Sequence, residues 1–286
     1  MYGAVALVLP IKRGQSLVVS PSPEPGISWN AYENGNLWFK ADFQWPPLKL
    51  ISTSDEEIAM RLLNLLRVAL ELNPKGLNES EGYAVTTEMN FNREWGFGSS
   101  AALVSNIAWW FNTDPFHLYF KIFKGSAFDI ASARATGPFL YRIERQKPWM
   151  VYMDFYPAFH DHLYFIYLGN KQDSQVSVDK FKMTFIANQD ILDQAIHLTN
   201  RLRKAESLDE FGRYMNDHET MIGKILNTEP VGRTLFSDFQ GYVKSLGAWG
   251  GDFIMAAYPG NRQELEEYFH KKGLDTIFSF EELVLH

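Results

Sequence analysis

Two glycine clusters and one aspartate are the parts of this 286-residue sequence best suited to chemistry. The first cluster reads Glu94-Trp95-Gly96-Phe97-Gly98-Ser99-Ser100-Ala101-Ala102. Glycines let backbone amides approach an anion closely, and two hydroxyls follow where a helix should begin. A helix N-terminus offers unpaired N–H groups and about half a positive charge, which suits a polyphosphate. No Lys follows the last glycine, so the G-K-[ST] phosphate loop is excluded, and the G-x-G-x-x-G dinucleotide spacing fails. Taken alone, the same residues would serve as an ordinary strand-to-helix turn capped by serine. The second cluster is Lys244-Ser245-Leu246-Gly247-Ala248-Trp249-Gly250-Gly251-Asp252-Phe253, which by itself describes a tight turn before a strand. Between them lies Gly125-Ser126-Ala127-Phe128-Asp129-Ile130-Ala131, whose lone Asp129 reads in isolation as a helix cap.

These segments need elements to position them. Residues 4–9 form an apolar run fit for a buried strand, residues 15–20 a second strand, and residues 21–26 a Pro/Ser/Gly turn. Asn34-Gly35 predicts a hairpin within residues 30–43. Ser54, with Glu57 three residues on, predicts a capping box opening a helix. Ile58, Leu62, Leu65, Leu66 and Leu70 carry that helix until Asn73-Pro74-Lys75-Gly76 stops it. Residues 83–90 are extended, and 101–111 and 115–124 are helical. Strands follow at 149–155, 163–168 and 180–186, then amphipathic helices at 189–204 and 208–226. A strand at 253–258, a helix at 262–272 and a strand at 276–280 close the chain. Strands and helices come in groups, without steady βαβα alternation, so the expected class is α+β. Lys147-Pro148 suggests a boundary, giving domains 1–150 and 151–286.

Bulk composition narrows the function. Apolar residues make up 46% and aromatics 15%, enough for a packed core. A net charge of −7 with no long basic run argues against nucleic acid and anionic membrane as partners. The absence of cysteine excludes a disulfide framework, a thiolate nucleophile and a Cys-based zinc site. No apolar stretch spans a bilayer and no basic segment precedes the first apolar run, so a cytoplasmic protein is expected. His160-Asp161-His162 has no evident further metal ligand and reads as a solvated turn. His218-Glu219 has Ile222 where a zinc helix needs its second His, so a helix-packing or polar contact is expected. Trp109-Trp110-Phe111 lacks interleaved basic residues and reads as core. Lys171, Arg134 and Arg142 are candidates to meet a negatively charged acceptor, with ordinary surface roles the safer reading.

Taken together and in chain order, the segments resemble the GHMP kinase superfamily. Residues 94–102 resemble its second motif, P-x-x-x-G-L-G-S-S-A-A, and residues 244–253 its third, a glycine-rich loop before a strand. Residues 125–131 look like the G-S-G-x-D segment of mevalonate and phosphomevalonate kinases, with Phe128-Asp129-Ile130-Ala131 similar to the G-Y-D-I-A string of one subgroup. Leu168-Gly169-Asn170-Lys171-Gln172, Leu198-Thr199 and His218-Glu219 add matches along nearly the whole chain.

The resemblance implies an N-terminal domain like the second domain of ribosomal protein S5 and a ferredoxin-like C-terminal domain, with ATP and acceptor meeting between them. It implies that Gly96, Gly98, Ser99, Ser100 and Ala101 bind the ATP phosphates, with Ser100 also touching Mg²⁺. It makes Asp129 the catalytic base or acceptor-orienting group, and places Gly247, Gly250 and Gly251 on the acceptor side. The implied partner is a small-molecule acceptor, mevalonate, phosphomevalonate or a close analogue, bound by a monomer or homodimer. Alternatives are a sugar kinase, a diphosphomevalonate decarboxylase-like enzyme, or a non-catalytic ligand-binding relative. Three departures stand out. The opening P-G-K-x-x-L-x-G-E-x-x-V motif is absent, and Met1-Tyr2-Gly3-Ala4-Val5-Ala6-Leu7 looks like the tail after it, so the first strand and its Lys are expected to be missing through a misassigned or truncated start, with real loss of activity the alternative. The helix before Asp129 has no acid to serve as metal ligand. Ala127 replaces a glycine, and Trp249 and Asp252 are unusual in the third motif.

Overall fold

A computed structural model describes residues 3–169, 188–247 and 252–286. By contact the chain falls into two compact units. One comprises Arg13–Arg93 and Phe97–Arg134, the other Met1–Lys12, Glu94–Gly96 and Ala135–His286.

The first unit is built on a five-stranded sheet. Its strands are β2 (Gln15–Ser22), β3 (Gly26–Glu33), β4 (Asn36–Gln44), β5 (Lys49–Thr53) and β6 (Gly82–Met89), in the order β2-β6-β3-β4-β5. Only β3 and β6 run parallel. Asn34 and Gly35 both have positive φ (48° and 78°), as the two-residue turn joining β3 to β4 demands. Ile27, Trp29 and Ala31 alternate with more exposed residues along β3, and Phe39, Ala41 and Phe43 do so along β4. This period of two puts one apolar face of the sheet toward the helices. The helices are α1 (Glu56–Leu72), α2 (Ser99–Trp110), α3 (Pro115–Ile122) and α4 (Phe128–Ser132). Leu62 and Leu66 of α1, Val104 and Ile107 of α2 and Leu118 of α3 join the sheet in one core.

The cap of α1 lies one residue later than expected. Asp55, and not Ser54, accepts the Ile58 amide at 3.1 Å. Ser54 is already engaged with β4: its N–H donates to Lys40 O, and its Oγ accepts from Lys40 N, both at 3.0 Å.

The second unit holds two sheets. Strand β1 (Ala6–Val8) pairs with β7 (Phe139–Glu144), which pairs with β8 (Lys147–Tyr152), all antiparallel. The division expected at residue 150 therefore cuts through a hairpin strand, and the ladder from Glu144↔Lys147 to Phe139↔Tyr152 is what keeps those residues together. Strands β9 (Leu163–Tyr167), β10 (Tyr242–Ser245), β11 (Phe253–Ala257) and β12 (Ile277–Ser279) form an antiparallel sheet in the order β10-β11-β9-β12. Helices α5 (Gln189–Leu202), α6 (Leu208–Leu226) and the short α7 (Val231–Thr234) connect β9 to β10, and α8 (Arg262–His270) connects β11 to β12; α9 (Phe280–Leu283) follows. A βαββαβ path with spatial order second-third-first-fourth is the ferredoxin-like arrangement expected for the C-terminal part. The all-buried β11, with Tyr164, Ile166, Leu265 and Phe269, carries its core. The strand expected at 180–186 lies outside the described residues. No helix among the described residues is long and apolar enough to cross a membrane.

Candidate active site

In the first unit the candidate site starts at the N-terminus of α2. Gly98 is its N-cap, in left-handed backbone (φ 77°, ψ 30°), and no side chain closes the helix start. The first intrahelical bond is Ala102 N–H to Gly98 O, 3.0 Å. The amides of Ser99, Ser100 and Ala101 thus lie in the first turn, where a helix supplies no acceptor. Ser100 is exposed and Ser99 half-buried, while the Ala101 methyl is buried in the core. Ala101 therefore has only its backbone to offer a ligand. The helix starts two residues before the position expected from sequence, which brings both serines into its first turn.

Asp129 sits on α4, which packs against α2 and α3. It is not the cap that its local sequence suggested. The N-cap is Ala127, in left-handed backbone (φ 55°), and Asp129 is the second helical residue. Its side chain is partly buried, and desolvation pushes the carboxyl up to about 6. That is closer to neutrality than a free aspartate, as a general base requires. Arg134 does not await an acceptor: its Nε donates to Ser105 Oγ at 2.8 Å and its Nη2 to Ser105 O at 3.1 Å. It ties the chain after α4 to the buried Ser105 of α2. Arg142, in the other unit, lies over the Trp149 ring at 5.2 Å.

In the second unit, segment Glu94–Gly96 lies against the ferredoxin-like sheet. Tyr167 Oη donates to Glu94 O at 2.9 Å, and Trp95 meets Phe278 edge-on at 5.3 Å. Gly96 (φ 69°) is pressed against Asp252: a Cβ there would fall 2.5 Å from the Asp252 carboxyl carbon. A Cβ on Gly247 (φ 62°) would lie 3.8 Å from Asp252 Oδ2. Asp252 is buried, and its charge, with that of Glu94, adds to burial in raising the Tyr167 phenol. The structure thus brings Gly96 and Gly247 to one carboxylate, a juxtaposition with no signal in the sequence beyond the odd presence of Asp252. Gly250 and Gly251, like Trp249 and residues 170–172 with Lys171, lie outside the described residues.

The strand entering this loop rests on a buried polar group. Ser245 Oγ donates to Glu219 Oε1 at 2.7 Å, and Lys244 Nζ donates to Ser245 O at 2.8 Å. Burial and the Lys244 charge push His218 down to about 3, so it is neutral near pH 7. Glu219 is a polar packing contact, as expected, whereas the buried Nδ1 of His218 has no hydrogen-bond partner among the described residues. His160 and His162 stand on a 3₁₀ turn, bonded to Tyr156 Oη and to Tyr258 O. Among the described residues no group of three or more His, Asp or Glu could hold a metal. Trp109 departs from the core reading: it is exposed, while Trp110 packs on Trp29 and Tyr83 and Phe111 is fully buried.

No family model and no curated protein matches the chain. Solved structures do. The phosphomevalonate kinase of Streptococcus pneumoniae, in complex with phosphomevalonate and AMPPNP, is 17% identical with a TM-score of 0.71, over 98% of this chain and 94% of that one. The mevalonate kinase of Methanococcus jannaschii is 15% identical, TM-score 0.65, over 100% and 92%. A D-glycero-D-manno-heptose 1-phosphate kinase from Bacteriodes thetaiotaomicron is 15% identical, TM-score 0.62, over 99% and 88%. The fold is that of the GHMP kinases. The GHMP fold thus extends along essentially the whole chain, with the α+β class and the ferredoxin-like sheet that its sequence implied.

Proposed function

We propose that this chain is an ATP-dependent kinase that transfers the γ-phosphoryl group to a hydroxyl of a small metabolite, mevalonate or a close analogue. The observation that carries the reading is the pairing, on a GHMP fold, of an uncapped α2 start with a desolvated aspartate on the adjoining α4. The Ser99, Ser100 and Ala101 amides and the α2 dipole would take the phosphates, and Ser99 Oγ would donate to a phosphate oxygen. Mg²⁺ keeps most of its ligands as phosphate and water oxygens, and the exposed Ser100 hydroxyl suits it as a single protein ligand. When bound, the ion supplies charge neutralisation to the transferred group. Helix α3 (Pro115–Ile122) contributes no acid to it.

Asp129, ionised above pH 6, accepts the proton of the acceptor hydroxyl as the new O–P bond forms and the bond to ADP breaks. Burial is what raises its carboxyl. Gly247, Gly250 and Gly251 remain the proposed acceptor-side loop, in a cytoplasmic enzyme.

The test is ADP release from Mg-ATP with mevalonate, phosphomevalonate, galactose and homoserine, using Asp129→Ala as control. Acceptor-dependent release lost in the variant is the expected result. Nucleotide binding without turnover of any acceptor would favour a non-catalytic relative.

A further inference from the structure

Asp252 has no part in the chemistry described above, yet it is a buried carboxylate set directly against backbone. An added Cβ at Gly96 would lie 2.5 Å from both its Cγ and Oδ2 and 2.9 Å from Oδ1, so no side chain fits at 96 while Asp252 holds its place. Gly96 is also left-handed (φ 69°), a conformation open to glycine at little cost. Two further contacts hold the same three-residue segment: Tyr167 on Glu94 O, and Phe278 on Trp95. Asp252 is itself fixed by its own backbone, since its carbonyl accepts from Leu168 N at 2.9 Å and β11 begins at the next residue. The start of β11 therefore presents a carboxyl group to the Gly96 turn.

We propose that Asp252 is a positioning residue: its carboxylate holds the left-handed Gly96 turn, from which the chain runs on through Gly98 into α2. Its geometry stands on the contacts above, and its consequence for nucleotide rests on the phosphate-loop reading. The carboxyl group fills the space beside Gly96; a neutral amide of the same shape fills it equally, whereas a methyl leaves it empty.

The experiment uses the full chain and compares wild type, Asp252→Asn and Asp252→Ala in two readouts. The first is amide hydrogen exchange of residues 94–98 without ligand. The second is affinity for a non-hydrolysable ATP analogue with Mg²⁺, together with KM for ATP against kcat. Asp252→Ala is expected to speed exchange at 94–98 and to weaken nucleotide about ten- to hundredfold, through KM more than kcat, since misplacing a binding backbone by about 1 Å has effects of that size. Asp252→Asn should restore most of both. Unchanged exchange and affinity in Asp252→Ala, or tighter nucleotide binding, overturns the proposal. If Asp252→Ala does not fold, Gly96→Ala must loosen the turn and Asp252→Asn must not; any other pattern overturns it. If wild type binds no nucleotide, the phosphate-loop reading fails, and the exchange data still decide whether Asp252 holds the turn.

Discussion

Helices α2 and α4 both start from a left-handed residue, and neither start is closed by a side chain. Among the described residues the short α7 (Val231–Thr234), which follows Pro230, also lacks a side-chain cap, but its cap residue is not left-handed. The other longer helices are capped by side chains. Asp55, Asp114, Asn188, Ser207 and Asn261 each accept an amide from the first turn of α1, α3, α5, α6 and α8. The two left-handed starts carry the candidate chemistry. An unclosed start on the longer α2 leaves amides for an anion. On α4, a single turn with five residues, the same backbone turn delivers a side chain, Asp129. The two also differ in cost. Gly98 adopts φ 77° freely, with nothing within 4 Å of where a Cβ would point, whereas Ala127 holds φ 55° at about 1–2 kcal/mol. Its methyl, buried in the core with Ile130, offsets that strain. One turn thus uses conformational freedom to stay open, and the other uses packing to hold a strained backbone under its aspartate.

The sharpest way to separate the two starts is Asp129→Asn. Phosphoryl transfer should fall by about 10²–10⁴ in kcat, the usual range for a lost general base, with nucleotide affinity little changed. Stability should move the other way. The fold raises the Asp129 pKa from 3.8 to about 6, so the folded chain holds this proton more tightly than the unfolded chain. Its contribution is most favourable below 3.8, declines as pH rises to about 6, and stays at its low value above. Asp129→Asn should therefore be more stable than wild type by about 1–2 kcal/mol at pH 7.5 and gain nothing at pH 3.5, as denaturant titrations at the two pH values would show.

Gly98→Ala addresses the other start. The added methyl meets no neighbour, so only the left-handed backbone resists it, at about 1–2 kcal/mol. Melting should register that cost, and calorimetry should show nucleotide binding weakened by about tenfold with the Asp129 proton chemistry intact. In the wild type, kcat/KM should rise with pH along an acid limb of apparent pKa about 6, and the limb should persist in Gly98→Ala. The smallest effect belongs to Ala127→Gly. Relief of the left-handed strain, less the loss of one buried methyl, should leave stability within about 1 kcal/mol of wild type, measurable by urea midpoint.

Much of this was readable from residues alone. The Asn34-Gly35 hairpin, the Asn73-Pro74 stop of α1, the α2 glycine-serine start and the amphipathic α5 and α6 are local signals, each complete within a few residues. Strands without strong alternation or turn markers were not legible: β5, β7 and β10 exist because neighbours pair with them. The shift of the α1 cap from Ser54 to Asp55 has the same origin, because a strand partner claimed Ser54 first.

For the site, sequence determined which residues have the right chemistry: glycines that tolerate positive φ, serines at a helix start, and an aspartate after a turn. Tertiary structure decided what surrounds them. Desolvation of Asp129, commitment of Arg134 to Ser105, and the seating of Asp252 against Gly96 depend on segments distant in the chain. Backbone preference and hydrogen-bonding capacity are properties of a residue and its near neighbours, whereas burial and contact are properties of the packed chain, set only when its elements close on one another.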